Sequence, residues 1–315
     1  MRENNCKPLA LRVISTAAMM SIVASCATAA FAGTYYMEDG SISIVAKTDG
    51  NYITQGTTIN DQKDAGETVI TNRDSSTASE NTVTIEAEEG STAKVTLDNV
   101  SLSVSGYKTT DSPLTVRGDG KTELELNGSN LLNSNGTSAA GLRKEGTGNL
   151  TIKDDVNDNG TAKTGEKTDT TGSLTATGGY YGGAGIGGNN GEGTSNITIT
   201  GGEIKATGGG NGGAGIGGGA GGSVDTITIT GGTIVSTANG TDGAGIGGGT
   251  GGNANNILIT GGDVTANGSA NGAGIGGGAA DSWNNIAAGN GTNITITGGK
   301  VTAKSSSATG AGIGG

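Results

Sequence analysis

Histidine is absent from the 315 residues, and the only two cysteines, Cys6 and Cys26, lie in the first 26. Imidazole is therefore excluded as base or metal ligand, and the body of the chain can form no disulfide and no zinc site built on His or Cys. Aromatic residues are also scarce, with six Tyr, one Phe and one Trp. A globular core needs large apolar side chains, and this composition is short of them. Basic residues are few as well. The formal charge is −11, and setting residues 1–32 aside leaves 15 basic against 28 acidic residues. That balance speaks against nucleic acid and anionic membranes as partners and fits an exported, soluble protein.

What the chain has in abundance is glycine, 65 residues of it. Disorder is the default for such a composition, but recurrent Ile, Leu and Val positions argue against it. Glycine does not recur every third residue, so collagen is excluded. Gly-Ala-Gly-Ile-Gly-Gly reads at 183–188, 213–218, 243–248, 272–277 and 310–315, with steps of 30, 30, 29 and 38 residues between its isoleucines. A fixed period of this size marks a solenoid.

Each repeat offers three short alternating stretches separated by glycine bends. Ile197-Thr198-Ile199-Thr200-Gly201-Gly202 recurs at 227–232 and 294–299, and at 257–262 with Leu258 in place of the first threonine. A second alternation follows each time, at 203–206, 233–236, 263–266 and 300–303, and the hexapeptide comes third. The pattern predicts an all-β fold, a right-handed parallel β-helix with three short strands per coil of about 30 residues. Ile197, Ile227, Ile257 and Ile294 should form one internal ladder, with Ile199, Ile229, Ile259 and Ile296 beside it. Leu97, Leu126 and Ile152 are candidate earlier rungs, giving about seven coils and an axis of roughly 34 Å.

Residues 1–32 read as a secretory signal. Arg2, Lys7 and Arg12 precede an apolar centre at 13–24, and Ala30-Phe31-Ala32 offers a cleavage site before Gly33. Val23-Ala24-Ser25-Cys26 offers a competing cut that would leave a lipid anchor on Cys26; either way the expected location is secreted or cell-surface. Residues 33–91, with short alternations at 41–45, 68–70 and 82–86, are expected to form an N-terminal cap or irregular first coils. Residues 92–315 are the regular solenoid. The last repeat core reaches Gly315 without a capping segment, and a chain truncated there is expected.

The glycine repeats lack the Lys-Ser/Thr of a phosphate loop, and their recurrence in every coil excludes a dinucleotide fingerprint. A sharper pattern is Asp155-Val156-Asn157-Asp158-Asn159-Gly160 with Glu166 beyond it. This spacing lets side-chain oxygens of Asp155, Asn157 and Asn159, the Thr161 carbonyl and a bidentate Glu166 converge on Ca²⁺. No amphipathic helix flanks the loop, and Lys163 stands where an oxygen donor usually sits, so a solvated acidic loop is the alternative. Tyr180, Tyr181 and Trp283 fall in bends or added residues, where rigid aromatics suit stacking on sugar rings, protein contact, or simply covering a ladder.

The run Val-Thr-Leu-Asp-Asn-Val at 95–100, Leu-Asn-Gly-Ser-Asn at 126–130, Ser-Leu-Thr-Ala-Thr-Gly-Gly at 173–179 and the Gly-Ala-Gly-Ile-Gly repeats resemble a known family. It is that of the pectate-lyase-like, non-catalytic carbohydrate-binding β-helix domains of secreted and surface bacterial proteins. The resemblance covers roughly residues 92–315 and implies calcium and plant-type polysaccharide as ligands; together with the export signal, a host or cell-surface glycan is the other partner expected. None of that family's binding residues maps onto this chain. The β-helix hydrolases and lyases that the architecture also resembles use a Gly-His-Gly element or placed Arg and Lys bases. No such motif is found here, so an enzyme is not expected. A structural stalk or adhesin segment is the alternative function, and a polysaccharide lyase or hydrolase the second.

Overall fold

In a computed structural model, the described residues are 33–64, 66–107, 109–155, 172–282 and 284–315. The expected signal segment therefore lies outside them. The chain winds through three sheets of nine, seven and eleven strands, one on each side of a solenoid. The first runs from Thr34–Tyr36 to Gly291–Ile296, and the second from Ser101–Ser105 to Lys300–Ser305. The third holds the short hexapeptide strands, such as Ile216–Gly217. This is the parallel β-helix that the repeat predicts. Nine rungs on the first face span roughly 38 Å at about 4.8 Å each.

The alternation in sequence becomes inside and outside. Ile197, Ile227, Ile257 and Ile294 pair in one column, and Ile199, Ile229, Ile259 and Ile296 in the next. Thr198, Thr228, Leu258 and Thr295 stack between them on the outer side. Of the candidate earlier rungs, Ile152 continues the Ile199 column as expected, whereas Leu97 and Leu126 lie outside it. Ile152 pairs with Leu124, and Leu124 with Val95. Leu97 and Leu126 pair with each other and with Ile70, one side-chain pair further along the strand. The reason is strand length. Thr92–Asp98 and Lys121–Asn127 are seven residues long, whereas the repeats use three at Ile197–Ile199. The extra column ends at Leu126, against which Gly172 and Gly202 pack.

One inward column on the third face is Ile44, Ile85, Val116 and then Lys144. Lys144 is 2% exposed, and its ammonium donates to the carbonyls of Glu145 (3.1 Å) and Gly146 (2.9 Å). Burial pushes its pKa down to about 8, against the opposing fields of Asp119 and Glu145.

Two buried amides tie consecutive coils at the corners. Asn130 accepts from Val100 N (2.9 Å) and donates to Asn127 O and Ser173 O (3.0 Å each). Asn189 accepts from Ala140 N (2.8 Å) and Ser112 Oγ (3.2 Å) and donates to Thr110 O (3.0 Å). Both thus link the same three coils, those that begin on the first face with Thr92–Asp98, Lys121–Asn127 and Asn149–Lys153.

Antiparallel pairing among the described strands appears at the N-terminal end. Ile42–Lys47, Gly50–Gln55 and Ile59–Asp64 form a meander that extends the third sheet. It buries Ile44 and Ile53 completely and ends in a strand rich in Asn, Asp, Gln and Lys, a composition that discourages edge pairing.

Candidate functional site

The third face carries the most distinctive surface, and the hexapeptide is the cause. Its strands are two residues long: Ile186–Gly187, Ile216–Gly217, Ile246–Gly247 and Ile275–Gly276. Isoleucine fills the interior, so the glycine stands on the outer side. The turns before and after each strand fold towards one another across it. Ala220 N–H donates to Gly182 O (2.8 Å), Thr250 N–H to Gly212 O (2.9 Å) and Ala279 N–H to Asp242 O (2.7 Å). The outer glycines are consequently buried beneath two rows of turns. A Cβ on Gly187 would stand 1.9 Å from Gly217 O, so only glycine fits this approach.

Between the two rows runs a groove of about 800 Å³. One wall carries Tyr180, Asn211, Thr241–Asp242 and Asn271 from four successive coils, and the other includes Asn190 and Thr250. Asp242 accepts from Asn271 Nδ2 (3.0 Å) and from Thr241 Oγ1 (2.7 Å), which fixes that wall across neighbouring coils. Asp281, Ser282, Asn284 and Ile286 line one end. There the backbones of Asp281 and Ile286 exchange two hydrogen bonds (3.0 and 2.9 Å), and Asn284 Nδ2 donates to Asp281 (2.6 Å). Ile286 seats this insertion against the backbone of Gly251.

At the other end stands Tyr180, 60% exposed. Its ring lies against Gly210, where a Cβ would be 2.8 Å from two ring carbons. Tyr180 meets Tyr181 edge-on at 5.2 Å between centroids, and Tyr181 meets Tyr107 in the same way at 5.3 Å. Desolvation and then the hydrogen bond with Tyr107 raise the pKa of Tyr181. Of the aromatics singled out from sequence, Tyr180 lines the groove while Tyr181 braces it from behind. Trp283 lies outside the described residues, although its neighbours Ser282 and Asn284 both line the groove. Tyr107 was missed. It precedes Tyr181 by 74 residues, and the signal that could have found it is its place in the corresponding bend two coils earlier.

Of the expected calcium ligands, Asp155 is described, and Asn157, Asn159, Thr161 and Glu166 lie outside the described residues. The Asp155 carboxylate lies 3.3 Å from Lys153 Nζ, and its backbone N–H donates to Glu125 Oε1 (3.0 Å). Hydrogen bonding with Glu125 and the Lys153 charge hold its pKa below the usual carboxylate range, outweighing desolvation. Among the described residues, no group of three or more Cys, Asp or Glu side chains is placed to hold a metal ion.

Four stretches, 197–220, 227–250, 257–279 and 294–315, match the family model of the beta helix repeat. The first three include Asn211, Asp242, Thr250 and Asn271 of the groove walls, whereas Tyr180, Asn190 and Asp281 lie outside the matched stretches. No curated protein and no solved structure matches the chain.

Proposed function

We propose that this β-helix repeat protein is an exported, non-catalytic module that binds polysaccharide or a glycan on a cell surface, with the groove on the third face as its site. The observation that carries the reading is the groove itself. It is an open channel along the axis, walled by amides, hydroxyls and two carboxylates and ended by an exposed tyrosine. Sugar hydroxyls both donate and accept, which suits Asn and Thr walls, and the apolar face of a pyranose suits an aromatic ring. Export rests on the basic start, apolar centre and Ala-Phe-Ala of residues 1–32.

Glycan arrays and pull-downs on insoluble polysaccharides test the reading. Tyr180→Ala should weaken glycan binding about tenfold, the loss of one stacking contact of about 1.5 kcal/mol. Gly210→Ala should do the same, because its methyl would displace the Tyr180 ring. Glycan binding that is indifferent to both variants places the site elsewhere, and no binding at all returns the chain to the scaffold role of a stalk.

The proposal includes Ca²⁺ held by the 155–166 loop as a rigidifying ion, supported by its Asp-x-Asn-x-Asn-Gly spacing. The ion would have to displace Lys153 from Asp155. Calorimetric titration should show binding heat that Asp155→Ala and Glu166→Ala each abolish; unchanged heats would remove the site.

A further inference from the structure

We infer that the groove accepts an uncharged linear polysaccharide laid parallel to the solenoid axis, one sugar ring per coil, and discriminates against polyuronates. The inference rests on the glycan-binding reading above and adds to it the substrate class and the direction of the chain.

Direction follows from periodicity. Tyr180, Asn211, Asp242 and Asn271 come from four consecutive coils, so the wall runs along the axis with about 4.8 Å between coils. A pyranose in an extended 1,4-linked chain advances by nearly the same length. One ring can therefore face each coil for as long as the groove lasts, with every second ring of a β-1,4-linked chain presenting the same hydroxyls to the same wall. An extended peptide advances about 3.3 Å per residue, so it falls out of step within two coils. The end features agree with this direction: Tyr180 stands on the first of these four coils, and Asp281, Ser282, Asn284 and Ile286 follow the third-face strand of the last.

Class follows from charge. The charged side chains lining the groove are Asp242 and Asp281. Between residues 172 and 315 the basic residues are Lys205, Lys300 and Lys304. All three sit in second-face strands, Glu203–Thr207 and Lys300–Ser305, and none lines the groove. A polyuronate laid along it would bring a row of carboxylates up to the fixed carboxylate of Asp242, and among the described residues lining the groove there is no Lys or Arg to offset them. Neutral sugar hydroxyls instead can donate to Asp242 in charge-assisted hydrogen bonds, the stronger kind. They can also exchange neutral ones with Asn190, Asn211 and Thr250.

The test is calorimetry of the full chain in EDTA with two length series of two to six units. One series is neutral β-1,4-linked gluco-, manno- and xylo-oligosaccharides, and the other is oligogalacturonates. The expected result is affinity for at least one neutral series that rises up to four rings and then levels, with uronates of equal length at least about tenfold weaker. Asp242→Lys should shrink that gap, by removing the repelling charge and supplying a cation. Oligogalacturonates that bind as well as the neutral series, or better, overturn the inference while leaving glycan binding intact. Affinity that levels at two rings overturns the axial direction. Failure of every saccharide overturns the glycan reading and the inference with it.

Discussion

Two glycines of one coil separate crowding from backbone strain. Gly187 and Gly191 both have positive φ, +139° and +82°, so alanine is strained at either position. That strain costs about 1–3 kcal/mol, less about 0.5 kcal/mol from the reduced freedom of the unfolded chain. Their surroundings differ entirely. A Cβ on Gly191 meets nothing within 4 Å, whereas one on Gly187 stands 1.9 Å from Gly217 O and 2.9 Å from Gly217 C. The obstacle is backbone pinned by pairing of Ile216 with both Ile186 and Ile246, so it cannot swing aside as a flexible side chain would. Overpacking of this kind adds about 1–3 kcal/mol. Gly191→Ala should therefore cost about 1 kcal/mol and Gly187→Ala about 3 kcal/mol. Urea unfolding followed by far-UV circular dichroism measures both, and because nearest-neighbour coils carry the cooperativity, the denaturant slopes should be compared before the midpoints. Equal losses in the two variants would refute the argument that close approach of neighbouring coils is what the hexapeptide glycines provide.

Asn130→Ala leaves Val100 N, Asn127 O and Ser173 O without their side-chain partner inside a corner, and should lower stability by about 2–4 kcal/mol in thermal or urea unfolding. A loss under 1 kcal/mol would mean that water replaces the amide there. Lys144 gives a pH prediction of definite sign. Its folded pKa, about 8, lies below the ordinary lysine value, so between about pH 8 and 10 the unfolded chain holds a proton that the folded chain has released. Stability from this group therefore rises with pH across that window, by at most about 3 kcal/mol. Lys144→Met should flatten the rise in urea midpoint between pH 7.5 and 10; parallel profiles for the two proteins would contradict it.

The solenoid was legible because a small set of inward positions repeats without compromise. Ile197, Ile227, Ile257 and Ile294 can serve only as one ladder, since each is followed by the same outward position and the same glycine pair. The cap was harder to see because its inward positions are polar. In Gly50–Gln55 the buried side chains include Asn51 and Gln55, which conceal the apolar alternation around Ile53. Their amides are satisfied in the fold, Asn51 by Thr68 Oγ1 (2.8 Å) and Gln55 by Tyr36 O (2.6 Å). The site was half legible. Tyr180 stood out as a rare aromatic in a bend, but the Asn, Thr and Asp residues of the groove walls have the composition of ordinary turns. Only the hydrogen bonds that draw the two rows of turns together give them a common surface, and those bonds are made by backbone, to which side-chain pattern is blind. The hexapeptide organises that surface while contributing almost no atom to its chemistry.

The two corner amides bear on how the molecule would yield under tension. Tension along the axis pulls in line with the hydrogen bonds between coils, so strands detach in sequence, like a zip, and each detached coil pays out about 30 residues of slack. Asn130 and Asn189 fasten the same three coils from two different corners. That stretch should resist as a block and release in one longer step, with the uniform coils after it unwinding singly. On a molecule tethered at a surface and bound to a polymer, this would set apart a segment that gives way gradually from one that holds until it fails.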